Sequence, residues 1–238
     1  MAIKGIESLI PIKGYVSLFS TFLNIFLNLS PIVIFIPVIK GRQSYTNIPF
    51  LMLLFNLLNG LCWSSYWYRR SFTSPLICNF LCSLISTTFF IIYLFFLSKK
   101  IVPKCFLYIM ILIIVATIII YISIYVINIQ IYGIILIVIN VLMFIGPSQN
   151  IIRVIKEKNH RLIPIATTLV MIVCSGGWLL FGKIVNDLTC IIPNMIGLFF
   201  SVFNSLIWLF FYLKEKIKKN KNQFYSEENA NNNNVEIK

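Results

Sequence analysis

Neutral amide and indole side chains recur at matched places in a chain that is otherwise strongly apolar. Asn59 and Trp63 are four residues apart and share a helical face, while Asn79 lies a turn or more into the next apolar run. Asn24 shares a face with Leu27 and Pro31 at steps of three and four. Further along, the matching positions hold Asn140, Met143 and Pro147, then Cys174 and Trp178, then Asn194. A carboxamide both donates and accepts hydrogen bonds without the desolvation cost of a charge. An indole adds a flat apolar face and an N–H at its edge. Amides and indoles facing one another inside a helical bundle therefore make a candidate site for a neutral polyol, whose C–H faces and hydroxyls both need partners.

The groups that are missing narrow the chemistry further. All seven acidic residues (Glu7, Glu157, Asp187, Glu215, Glu227, Glu228, Glu236) and the one histidine, His160, fall in tails or loops. The apolar runs thus hold no carboxylate or imidazole to relay a proton, which favours movement of solute down its gradient. The same absence removes the general acid, base or metal cluster that an enzyme needs, so no catalytic residue, metal or cofactor is expected. Six cysteines (Cys62, Cys78, Cys82, Cys105, Cys174, Cys190) lie within or beside the apolar runs and read as small packing residues.

These side chains are positioned by a duplicated unit. Pro31 and Lys40 reappear 116 residues later as Pro147 and Lys156, and Pro49, Trp63 and Asn79 reappear 115 residues later as Pro164, Trp178 and Asn194. Hydrophobic residues make up 59% of the 238-residue chain and charged residues 11%, and its mean hydropathy is +0.90. Soluble domains carry about 25% charged residues, so this is the composition of an integral membrane protein. Seven helical spans are expected at about 16–39, 48–68, 75–97, 105–127, 131–152, 163–184 and 190–213. The first run lacks a small-residue cleavage site, so no cleaved leader is expected.

The predicted fold is an all-α membrane protein of two parallel three-helix repeats joined by a linker helix. It divides into an outer amino-terminal segment at 1–15, a first repeat at 16–97, and a linker helix with its loops at 98–130. A second repeat at 131–213 and a disordered cytoplasmic tail at 214–238 complete the chain. The unpaired fourth span has a mechanical reason: two copies of an odd number of spans lie parallel only if one more crossing separates them. Matched prolines near the inner span ends, Pro31, Pro49, Pro147 and Pro164, are candidate hinges, because proline removes an amide donor and bends a helix.

A net charge of +13 could suggest nucleic acid, but its distribution points to the bilayer. With an outside amino terminus and a cytoplasmic carboxyl terminus, fifteen of the twenty basic residues fall on the inner side and five outside.

In this order and spacing the motifs SPIVIFIPVIKGRQSYTNIPF, NGLCWSSYW, GPSQNIIRVIKEKNHRLIPI, GGWLLFGKIVND and IIPNMIG resemble the SWEET, or MtN3/saliva, sugar transporters of the PQ-loop superfamily over about residues 15–213. The resemblance implies a seven-helix uniporter that moves mono- or disaccharides by alternating access and assembles as a homo-oligomer. It lies in the plasma membrane on this reading, with an internal membrane as the alternative. The family's central Asn pair falls on Asn79 and Asn194, its pocket tryptophan on Trp178 with Trp63 opposite, and further sugar positions on Asn24, Leu27, Asn59, Asn140, Met143 and Cys174. Its proline tetrad falls on the four candidate hinges. An outer gate falls on Asp187 and Tyr66, with Arg70 near the position of a basic partner.

Departures from the family pattern are Phe80 and Met195 after the central asparagines, Cys174 for a small polar or amide residue, and Trp67 for the glycine after the gate tyrosine. Gly146-Pro147-Ser148-Gln149 keeps open a PQ-loop exporter of amino acids or another small solute, and the tail keeps open a non-transporting scaffold or receptor.

Overall fold

The computed structural model describes residues 12–42, 50–96, 102–143, 151–152 and 154–236, and all regular structure in them is helical. Eight helices carry the architecture: α1 (Lys13–Leu29), α2 (Ile32–Ile39), α3 (Phe50–Arg69), α4 (Thr73–Phe96), α5 (Val102–Tyr125), α6 (Ile129–Met143), α7 (Ile165–Ile184) and α8 (Leu188–Glu236). Among the described residues, α4, α5, α7 and the first part of α8 are each long and apolar enough to cross a bilayer.

The first expected span is divided between α1 and α2 at Ser30 and Pro31. Pro31 has no N–H to continue the ladder, so the chain closes a turn there, with Ser30 N–H donating to Leu27 O at 3.0 Å. Pro164 stands immediately before α7, and its carbonyl accepts from Thr168 N–H at 3.1 Å; it sets where that helix starts. Pro49 and Pro147 lie outside the described residues.

The packing repeats as the sequence does. In the first half α4 packs against both α1 and α3; in the second, α8 packs against both α6 and α7. The halves meet twice, through α1 on α7 and through α3 on α6. Each crossing joins the helices that correspond, copy for copy, to those of the other, as a duplicated unit requires. Helix α5 packs on α3, and its outward face is bare and apolar, as a lipid-facing surface is.

Close approach at the crossings rests on small residues. A Cβ on Gly177 of α7 would overlap Ser20 Oγ of α1, and within the first half a Cβ on Gly60 of α3 would overlap Ser83 Oγ of α4. A buried hydroxyl cluster pins α3, α5 and α6 together. Ser65 and Tyr132 hydroxyls lie 2.7 Å apart, Tyr132 donates to Cys62 O at 2.9 Å, and Ser123 donates to Ser65 at 3.4 Å. Arg69 donates to the carbonyls of Ser123 and Ile127, satisfying the end of α5.

One expectation differs from the structure. Composition reads residues 214–238 as a disordered tail, whereas α8 continues as helix to Glu236. Lys219 pairs with Glu215 one turn earlier at 2.9 Å, a spacing that supports helix, and lysine and glutamate are good helix formers.

Candidate functional site

The polar positions singled out in the sequence converge between the halves. Asn24, Leu27, Asn59, Trp63, Asn79, Asn140, Cys174, Trp178 and Asn194 line one cavity of about 750 Å³, its open mouth included. Met143 lies at the end of α6, and its side chain is outside the described residues. Trp67, Met171, Ser175, Cys190 and Pro193 complete the lining and were not among the expected site residues. Helical spacing points to most of them: Trp67 is four residues after Trp63, Met171 three before Cys174, and Cys190 four before Asn194.

The central asparagines are held alike. Asn79 Nδ2 donates to Pro75 O at 2.8 Å, and Asn194 Nδ2 donates to Cys190 O at 2.7 Å, each four residues back on its own helix. With one N–H so engaged, the carboxamide oxygen of each accepts no hydrogen bond from the described residues. It is left for a donor in the cavity, and a sugar hydroxyl is such a donor.

The remaining amides differ between the two crossings. Asn140 of α6 donates to Asn59 Oδ1 of α3 at 3.3 Å and to Leu136 O at 3.0 Å, so an amide bridge joins the halves there. At the α1–α7 crossing, Asn24 instead donates to Cys78 Sγ at 3.4 Å within its own half, and Cys174 Sγ lies 3.9 Å from Ser20 O. Cys62, Cys78, Cys82, Cys174 and Cys190 carry free thiols, and no metal-binding group of histidine, cysteine or carboxylate occurs among the described residues.

Aromatic rings close the cavity toward Asp187. Trp63 and Trp67 stack with centroids 5.8 Å apart, and Trp67 meets Phe72 and Phe181 edge-on at 5.8 and 5.9 Å. Beyond them the three expected gate residues come together. Tyr66 donates its hydroxyl to the Asp187 carboxylate, 2.9 Å from each oxygen, and Arg70 Nε lies 3.2 Å from Oδ2. That ion pair is off the angle of a hydrogen bond, so Tyr66 supplies the directional contact. Asp187 is buried and also accepts from Thr189 N–H at 2.9 Å, which makes it the cap of α8. One carboxylate therefore holds Tyr66 and Arg70 and starts the helix that carries Asn194.

Comparison with known proteins agrees with this geometry. The family model described as "Sugar efflux transporter for intercellular exchange", MtN3/saliva, matches residues 14–101 and 130–216 and passes over the segment that contains α5. The bidirectional sugar transporter SWEET1a of Oryza sativa subsp. japonica is 26% identical over 195 residues, covering 77% of this chain and 70% of that protein. The bidirectional sugar transporter SWEET1 of Arabidopsis thaliana is 27% identical over 218 residues, covering 85% of each. The solved structure of a eukaryotic SWEET transporter superposes with a TM-score of 0.78 at 19% identity, covering 84% of this chain and 96% of that one, and so shares its fold. Two matched repeats that meet around one cavity, together with a family model that covers both, establish that this chain belongs to the MtN3/saliva, or SWEET, family of membrane transporters.

Proposed function

We infer that the chain is a facilitative, bidirectional sugar uniporter that works by alternating access, with its substrate held between the carboxamides of Asn79 and Asn194 and the indoles of Trp63 and Trp178. The observation that carries this reading is the free carboxamide oxygen on each central asparagine, presented by equivalent helices α4 and α8 to the same cavity. Sugar hydroxyls donate to those oxygens, and the indole faces cover the C–H surface of the ring. Asn59, Asn140, Asn24, Leu27, Cys174 and Met143 shape the rest of the pocket.

In the proposed cycle the halves rock about the proline positions Pro31, Pro49, Pro147 and Pro164. The Tyr66–Asp187–Arg70 set is the gate on the outer side and parts when the site faces out. The cavity lining holds no charged side chain among the described residues, which leaves an amino-acid zwitterion without counter-charges and favours a neutral solute. The distribution of basic residues supports an amino terminus outside and a carboxyl terminus in the cytoplasm. Exchange between cells requires the plasma membrane, which is the location proposed, and the working form is a homo-oligomer.

Labelled glucose and sucrose taken up by liposomes that hold the purified chain test the reading. Saturable uptake of a labelled sugar, equal with and without a proton gradient and accelerated by unlabelled sugar on the far side, is expected. Uptake that follows the proton gradient, or none for any sugar tested, contradicts it.

A further inference from the structure

Midway along α8, just past its apolar part, a second cavity opens, lined by His160, Tyr212, Glu215, Lys216 and Lys219. His160 belongs to the short turn His160–Leu162 ahead of α7, and its ring meets Trp208 and Tyr212 edge-on at 5.6 and 5.5 Å. Trp208 and Tyr212 stack with centroids 4.8 Å apart. The apolar part of α8 closes at Leu213, so at 1.5 Å per residue Lys216 and Lys219 lie about 5 to 9 Å beyond it, at the depth of lipid headgroups. Stacked aromatic residues one or two turns earlier are the side chains that mark such an interface.

The helix divides its lysines between two faces. Steps of three and four place Trp208, Tyr212, Glu215, Lys216 and Lys219 on the face toward His160, and Lys214, Lys218 and Lys221 on another. Glu215 lies 2.9 Å from Lys219 and 3.2 Å from His160 Nδ1, the latter without hydrogen-bond geometry, so the cavity already holds one acidic group between two nitrogens. Lys216 brings a further cation to the same space.

We propose that this cavity, between the His160 turn and the Lys216–Lys219 face of α8, binds the phosphate of an anionic lipid headgroup. Lys216 and Lys219 hold the phosphate oxygens, Tyr212 and Trp208 pack beside the glycerol and the upper acyl chain, and Glu215 competes with the phosphate for Lys219. Because the site bridges the loop before α7 to α8, an occupied site ties together two elements of the second half-bundle.

Thermal unfolding of the full chain in neutral detergent, titrated with dioctanoyl phosphatidic acid, dioctanoyl phosphatidylcholine or inorganic phosphate, tests the proposal. Phosphatidic acid is expected to raise the unfolding temperature in a saturable way, and phosphatidylcholine and inorganic phosphate are not. Removing both charges in Lys216→Gln/Lys219→Gln raises the half-saturating concentration on the order of ten- to thirtyfold, whereas Lys214→Gln/Lys218→Gln, with the same total charge, leaves it near wild type. Glu215→Gln lowers it by removing the competitor. Equal loss in both lysine pairs would mean diffuse attraction and would overturn the site. A full shift from inorganic phosphate alone would make the ligand a soluble anion, and no shift with phosphatidic acid would leave no ligand; either result overturns the proposal.

Discussion

The two crossings between the half-bundles join equivalent helices of the two copies and differ in chemistry. Where α3 meets α6, Asn59 and Asn140 join in an amide bridge, and the hydroxyls of Ser65 and Tyr132 add a second contact. Where α1 meets α7, Gly177 lets the helices approach until Ser20 fills the gap, Asn24 turns to Cys78, and Cys174 stands where the other half has Asn59. A duplicated sequence thus fixes which helices meet, while single substitutions at equivalent positions decide whether they are joined by an amide bridge or by close packing with a thiol contact. The pocket is lined asymmetrically for that reason, and the central asparagines are the part of it that stays equivalent.

The close-packed crossing is the more fragile of the two. Gly177→Val is expected to destabilise the fold by about 1–3 kcal/mol and to abolish uptake, because its side chain overlaps Ser20, whereas Gly176→Ala, which meets nothing within 4 Å, stays near wild type. Thermal unfolding in detergent together with liposome uptake separates the pair; equal effects would mean that the Ser20–Gly177 contact is not what holds α1 to α7.

At the proposed gate, Asp187→Ala loses both the cap and the contacts to Tyr66 and Arg70, while Asp187→Asn keeps a capping oxygen and loses the ion pair. The alanine variant is expected to unfold earlier by about 0.5–2 kcal/mol relative to the asparagine variant. Both variants expose the cavity more often on the gate side, read as faster alkylation of Cys190 by a membrane-impermeant thiol reagent. The bridged crossing carries the smallest effect. A double-mutant cycle between Asn59→Ala and Asn140→Ala is expected to give a coupling of about 0.6 kcal/mol, the usual size of a hydrogen bond between membrane helices. Cys174→Asn supplies the missing amide opposite Asn24 and is expected to shift the ranking of sugars rather than to stop transport; an unchanged ranking would remove Cys174 from the choice of substrate.

Much of this arrangement is legible in the sequence because repetition marks it. Trp63 with Trp178 and Asn79 with Asn194 stand out as identical residues at one offset, and helical spacing gathers Asn24, Leu27, Asn59 and Asn140 around them. The residues that were missed lack the mark of repetition. Shifted by the same 115 residues, Trp67 corresponds to Gly182, Met171 to Asn56, Ser175 to Gly60, Cys190 to Pro75 and Pro193 to Cys78. A comparison of the two copies cannot find a wall that only one copy builds. The helical continuation of α8 was hidden for another reason: composition measures how little apolar surface a segment can bury, and says little about pairs such as Glu215 and Lys219 that hold a helix in water.

The central claim is that sugar passes through the cavity held by Asn79 and Asn194. Uptake of labelled sugar by liposomes holding wild type, Asn79→Ala, Asn194→Ala or both tests it most directly, with the unfolding temperature of each variant measured alongside. The account predicts that each single variant folds and loses on the order of tenfold of its uptake, the cost of about one hydrogen bond, and that the double variant loses more. Wild-type uptake in both folded single variants would contradict it.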